Sequence, residues 1–176
     1  MSLSPDPIAS PSAYQQLLLA ALGDDDPAIA QATTPATFRA LVTEAGAHLR
    51  VRPEPTEWSV LECIDHLVDG ELVVSTRYRW ILAEEAPDIV GYDQDLWVAR
   101  LHASEDPETL LLLFEALRRS NLELWARTPV EDRVRFGRHR ERGDESYDLT
   151  FRLAAGHDRV HLEQARRALA QARGGR

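Results

Sequence analysis

Apolar residues recur along this 176-residue chain at intervals of three and four, the spacing that lines one face of a helix. Tyr14, Leu17, Leu18, Ala21 and Leu22 form the first such stripe, and Gly23 with the Asp24–Asp26 run interrupts it. A second helix is expected to open after Thr34–Pro35, because proline is tolerated where its missing N–H has no intrahelical partner to serve. Its stripe is Phe38, Leu41, Val42, Ala45 and Leu49, and Pro53 and Pro55 rule out regular structure across Arg52–Glu57. The third helix has the clearest start: Ser59 followed three residues later by Glu62 matches a capping box. Its stripe of Cys63, Leu67, Gly70, Val74, Tyr78 and Ile81 runs to about Glu85, ahead of Pro87 and Gly91. A short helix is predicted over Asp93 to Leu101. A long one is predicted from Pro107 to about Arg127, with Leu110, Phe114, Leu117 and Leu124 inward and Pro129 beyond its end. Residues Arg133 to Asp148 hold two glycines and alternating charge, and they read as a long loop or a weak hairpin. The last helix is predicted from about Leu149 to Ala172, with Leu153, His157, Val160, His161, Gln164 and Ala168 on one face.

Long amphipathic helices with few strand-like segments make an all-α chain, and they pack best as an antiparallel up-and-down four-helix bundle. Pro5, Pro7 and Pro11 point to a loose arm over residues 1–12, the bundle is assigned to residues 13–172, and residues 173–176 are expected to be a disordered tail. Trp58 and Trp97 are expected near loops that rim the site.

Composition narrows the function. The net charge of −9 repels phosphate backbones, so no nucleic-acid partner is expected. The short basic run Arg138–His139–Arg140–Glu141–Arg142 reads as a solvated loop, with contact to an anion as the lesser alternative. The apolar runs Leu17–Leu22 and Leu110–Phe114 fall far short of the roughly 20 residues that span a bilayer, so no membrane association is expected. The single cysteine, Cys63, excludes an intramolecular disulfide and suits a reducing compartment. With no basic stretch preceding an apolar core at the N-terminus, a cytoplasmic location is the expectation.

The candidate chemistry lies in the histidines. His48, His102 and His139 are expected to face solvent and to have no function. His157 and His161 are four apart on one helix, so their rings leave the same face one turn apart and could chelate one ion. His66 lies on the inward face of the third helix. Core histidines hydrogen-bonded to carbonyls or waters are the competing interpretation, and spacing alone leaves the two open. The zincin pattern H-E-x-x-H is not met, since Asp158 stands where glutamate belongs. The Glu-x-x-His pairs of di-iron bundles are absent.

Two segments carry a family resemblance. Trp58–Ser59–Val60–Leu61–Glu62–Cys63–Ile64–Asp65–His66–Leu67–Val68–Asp69–Gly70–Glu71 resembles the W-S-x-x-E-x-x-x-H-L-x-D-x-E motif of the DinB-like superfamily. Gly156–His157–Asp158–Arg159–Val160–His161–Leu162–Glu163–Gln164 resembles its C-terminal H-x-x-x-H-x-x-Q motif. Tyr92–Trp97 and Leu117–Asn121 are also similar to that family, and the likeness extends from about Tyr14 to Ala172. The loop from Gly143 to Asp148 departs from the family's G-x-L-T pattern. The resemblance implies a four-helix bundle with a divalent metal ion (zinc, nickel or iron) on His66, His157 and His161. It also implies, for some relatives, a low-molecular-weight thiol as co-substrate in transferase or isomerase reactions, and a link to stress response through the damage-inducible expression that the family name records.

Two functions follow. In the first, a metal-dependent enzyme acts on a small-molecule substrate, with positions on the ion left open for water or a thiol, giving hydrolysis or thiol transfer. Glu71, Asp69, Asp65 and Asp158 are then candidates for orienting the ligands, against the alternative of solvated helix-face carboxylates. In the second, the chain is a non-catalytic metal- or small-molecule-binding module. A polar, open cleft around the histidines would favour the first. Leu111, Leu112 and Leu122 lie off the inward stripe of their helix and suggest a homodimer. Cys63, one turn before His66, is expected to be a buried, inert thiol and not a fourth ligand that would close the site.

Overall fold

The computed structural model describes residues 10–101 and 106–174, and the helices in it begin and end where local chemistry dictates. Helix α1 spans Pro11–Leu22 and stops at Gly23, whose φ of 62° favours glycine. Residues 1–9 of the arm, and 175–176 of the tail, lie outside the described residues. Helix α2, Pro27–Ala45, begins earlier than expected. The Asp26 side chain accepts from the N–H groups of Ala28 and Ile29, and Pro27 occupies the first turn, so the start lies there and not at Thr34–Pro35. Pro35 therefore sits inside the helix, where it cannot donate to the Gln31 carbonyl one turn back. Arg118 Nη1 donates to that oxygen instead, at 3.1 Å, which is how a mid-helix proline is accommodated.

Helix α3, Val60–Ala83, starts at the expected capping box: Ser59 Oγ accepts from the Glu62 N–H, and the Glu62 carboxylate accepts from the Ser59 N–H. Helix α4 spans Gln94–Leu101, and α5 spans Pro107–Arg127 with Asp106 as its N-cap. Helix α6, Tyr147–Ala172, is capped by Ser146. Between α5 and α6 the weak hairpin forms: β2, Phe136–His139, pairs antiparallel with β3, Gly143–Ser146. A two-residue strand, β1 at Asp88–Ile89, adds in parallel to β2.

The four long helices α2, α3, α5 and α6 form the bundle. Helix α3 packs against α5 and α6, and α2 packs against the same two. The consecutive helices α2 and α3 thus face each other mainly across a diagonal, whereas in a simple up-and-down order they would be neighbours. Helix α1 lies outside, along α6. The approach is close enough that a Cβ on Gly156 would stand 2.0 Å from the Leu18 carbonyl oxygen. The core at one end contains Phe38, Leu61, Ile64, Leu67, Leu111 and Phe114. At the other end Tyr78, Tyr147 and Phe151 pack together, with Trp125 stacked on Phe151 at 3.9 Å. Each such side chain contributes about 1.5–3 kcal/mol by leaving water. Among the described residues no helix is long and apolar enough to cross a membrane. Leu111 is buried in the core and Leu122 packs against the second cluster, so of the three leucines suggested for dimerisation only Leu112 is exposed.

Candidate metal centre

Because α3 and α6 are neighbours, His66 meets the pair from α6. His157 and His161, one turn apart, face the α3 side of the bundle. The three rings lie 4.4–4.9 Å apart between centroids. One nitrogen from each falls within 4.8 Å of the other two, and His66 Nε2 and His157 Nε2 are 2.9 Å apart. Tetrahedral zinc with nitrogens at about 2.0–2.1 Å sets neighbouring donors roughly 3.3 Å apart, so small ring movements would bring these three onto one ion. The donor set fits a divalent ion.

Burial disfavours the charged form of His157 and His161. The Nδ1–H of His161 donates to Gln164 Oε1 at 2.9 Å, which leaves Nε2 with its lone pair. Burial lowers the pKa of His161 to about 4 against the opposing pull of that hydrogen bond. Burial, and then the neighbouring His161 and Arg118, hold His157 well below the usual histidine range. Trp58 stacks on His161, with centroids 5.9 Å apart, and also covers His66 at 5.0 Å. Trp97 reaches the site through Tyr92, which contacts His66. Both tryptophans therefore lie at the rim, as expected.

The four carboxylates are buried, not solvated helix-face groups. Glu71 and Asp158 meet Arg118, which is 1% exposed. Its guanidinium donates twice to Glu71 at 3.0 and 2.8 Å, and twice to Asp158 at 2.5 and 3.0 Å. Burial alone would lower the pKa of Arg118, but Asp158 and Glu71 hold it raised. Asn121 donates to Glu71, and Thr34 donates to Asp158. One residue along α6 is a turn of about 100°, so pinning Asp158 toward α5 and α2 aims His157 at α3. Asp65 and Asp69 are buried on α3 beside His66. Asp69 adds to the burial that pushes the Tyr92 phenol up.

Cys63 belongs to the apolar core, where burial pushes its thiol up, and it is not part of the histidine cluster. His48 is half-buried in a short 3-10 turn, and His102 lies outside the described residues. His139 corrects its expectation: it is only 4% exposed. Along β2 the sides alternate, so Phe136 and Arg138 face out while Gly137 and His139 face in. The basic run is therefore not a solvated loop throughout, because Arg142 pairs with buried Glu145. Arg77 was not singled out from the sequence, Arg118 entered only within the Leu117–Asn121 likeness, and the hairpin residues only as a charged run. The available signals were a charge on the inward face of α5 and the period-two alternation of β2.

His66 and His157 line a cleft with a cavity volume of about 100 Å³, walled by α1, α3, α6 and the hairpin. Gly70 keeps its floor clear, since a Cβ there would touch His157 Cε1 at 3.4 Å.

Three histidines thus converge within a helical bundle, two of them lining a cleft. Residues 30–165 match the sequence profile of the DinB superfamily, and the chain belongs to that superfamily. A Bacillus cereus protein provisionally named a metal-dependent hydrolase is 29% identical over 105 residues, covering 59% of this chain and 60% of that protein. A similarly named Oceanobacillus iheyensis protein is 30% identical, with 60% and 61% covered. The chain thus spans about three fifths of the length of these relatives. In fold it is similar to YfiT from Bacillus subtilis, described as a probable metal-dependent hydrolase with an unusual four-helix bundle topology. The TM-score is 0.74 at 19% identity, covering 94% of this chain and 90% of that one.

Proposed function

We propose that the chain is a metal-dependent enzyme holding one divalent ion, zinc, nickel or iron, through His66, His157 and His161. The observation that carries this reading is the convergence of His66, His157 and His161, with His66 and His157 lining a cleft. A purely structural site would be closed by a fourth protein ligand, and the cysteine nearest in sequence is in the core instead. A bound ion would lower the pKa of water or of a low-molecular-weight thiol and so supply a nucleophile at neutral pH. The chain's own residues do the rest. Gln164 fixes the His161 tautomer, the Arg118 network sets the rotation of α6, and Trp58 shields one side of the rings from water. The substrate is a small molecule that enters from the cleft, and the reaction is hydrolysis or thiol transfer.

The test is turnover by protein purified without a histidine tag, on ester, amide and thiol-transfer panels. Activity should vanish with a chelator, return with one equivalent of metal and be absent in His66→Ala, His157→Ala and His161→Ala. Turnover indifferent to the chelator would contradict the reading. Full metal occupancy without turnover on any panel would favour a binding module.

A further inference from the structure

The histidine cluster occupies one end of the cleft, and at the other end stands a cation without an anionic partner. Arg77, on α3, is 7% exposed and lines the same cavity as His66 and His157. One of its N–H groups donates to the Val90 carbonyl at 3.0 Å, while its Nε is buried with no hydrogen-bond partner. Among the described residues it makes no ion pair. Glu145, the carboxylate whose charge acts on Arg77, is otherwise engaged. Glu145 binds Arg142 through both oxygens and also accepts from Thr150 and Gln15. Glu141 lies against Gly91 and His139, and one of its carboxylate oxygens is likewise buried with no hydrogen-bond partner. Leaving a buried guanidinium uncompensated is costly, and a cleft that keeps one is built for an anion to complete it.

We propose that Arg77 forms an anion subsite that binds the carboxylate of the substrate and aims its other end at the histidine cluster. The local field agrees: burial and then Arg142 lower the pKa of Arg77 despite Glu145. His139 is lowered by burial and by the same two arginines more than Glu141 and Glu145 raise it. Glu141 and Glu145 stand close by and would repel a second negative charge, which favours a carboxylate over a phosphate dianion. The planar guanidinium fork matches a carboxylate through paired N–H donors. Arg77 lies eleven residues after His66, about 16 Å along the axis, and its side chain leans back toward the helix N-terminus, leaving a span on the order of 10 Å. The substrate class is therefore an elongated small organic acid. This deepens the metal-enzyme reading and rests on it for the identity of the opposite end.

The probes are 6-mercaptohexanoate and the uncharged 6-mercaptohexanol, titrated calorimetrically into zinc-loaded protein. The acid should bind about tenfold tighter than the alcohol, a difference of roughly 1.4 kcal/mol. Arg77→Met should abolish that preference without changing zinc content or affinity for the alcohol. Arg77→Lys, which keeps the charge and loses the fork, should retain only part of it and serves if the methionine variant fails to fold. Equal binding of acid and alcohol by the wild type, or full preference in either variant, would overturn the proposal. Hexanoate titrated into metal-free protein separates the two readings. If its binding depends on Arg77 while the protein takes up no zinc, the metal reading fails and the anion subsite stands. Stronger competition by inorganic phosphate than by hexanoate would overturn the carboxylate assignment.

Discussion

Arg118 is the buried charge on which the bundle most depends, and Arg118→Met tests that dependence. All five donations from its guanidinium are made inside the protein: two to Glu71, two to Asp158 and one to the Gln31 carbonyl. The Glu71 and Asp158 side chains are 2% and 5% exposed, so neither can turn to solvent when the cation is removed. Breaking one buried pair by deleting a partner costs about 3–5 kcal/mol. The Gln31 oxygen, which Pro35 cannot serve, adds about 1–3 kcal/mol when left bare. These contributions share groups and do not add fully, so a loss of about 5 kcal/mol is expected, a large part of the roughly 5–15 kcal/mol that holds a domain together. With a urea slope of about 2 kcal/mol/M, the unfolding midpoint read by circular dichroism should fall by roughly 2 M or more. The triple variant Arg118→Met, Glu71→Gln, Asp158→Asn should recover much of that loss, because no unpaired charge remains inside. A fall of less than about 0.5 M, or no recovery in the triple variant, would refute this account of the network.

Three further outcomes follow from particular contacts. Gly156→Ala places a methyl 2.0 Å from the Leu18 backbone oxygen, so α1 must shift away from α6; thermal unfolding should show a loss of about 1–3 kcal/mol or more, and an unchanged midpoint would show that α1 does not pack there. Gln164→Leu removes the acceptor that orients His161 and should weaken zinc binding about 10–100-fold with helix content intact, as read by competition with a chromophoric chelator. His139, lowered to about 4 by burial and the two arginines, refuses the proton that the unfolded chain takes up near pH 6.5. Its contribution is complete above about pH 6.5 and is lost as pH falls toward 4, so His139→Gln should flatten that part of the metal-free protein's stability profile, and an identical slope in both proteins would count against it.

The sequence was legible where one local rule decided the outcome. The Ser59–Glu62 box fixed the start of α3, Pro107 and Pro129 bracketed α5, and the four-residue spacing of His157 and His161 set two rings on one face. Positions decided by tertiary structure were not legible. Pro35 looks like a helix start, and only the distant Arg118 allows it to lie inside α2. Glu71 and Asp158 look like surface carboxylates until α5 brings a cation to them. His139 sits in a charged run whose period-two alternation was too short to distinguish a hairpin from a loop. The bundle order, with α2 and α3 diagonal, leaves no mark in periodicity, since each helix shows the same stripe whichever neighbour covers it.

The most direct test of the metal centre is the X-ray absorption spectrum of untagged, zinc-loaded protein. Three imidazole nitrogens at about 2.0–2.1 Å should be seen, with the remaining scattering from oxygen or nitrogen and none from sulfur. A sulfur shell at about 2.3 Å would place Cys63 on the ion, and a spectrum without imidazole scattering would contradict the assignment of His66, His157 and His161.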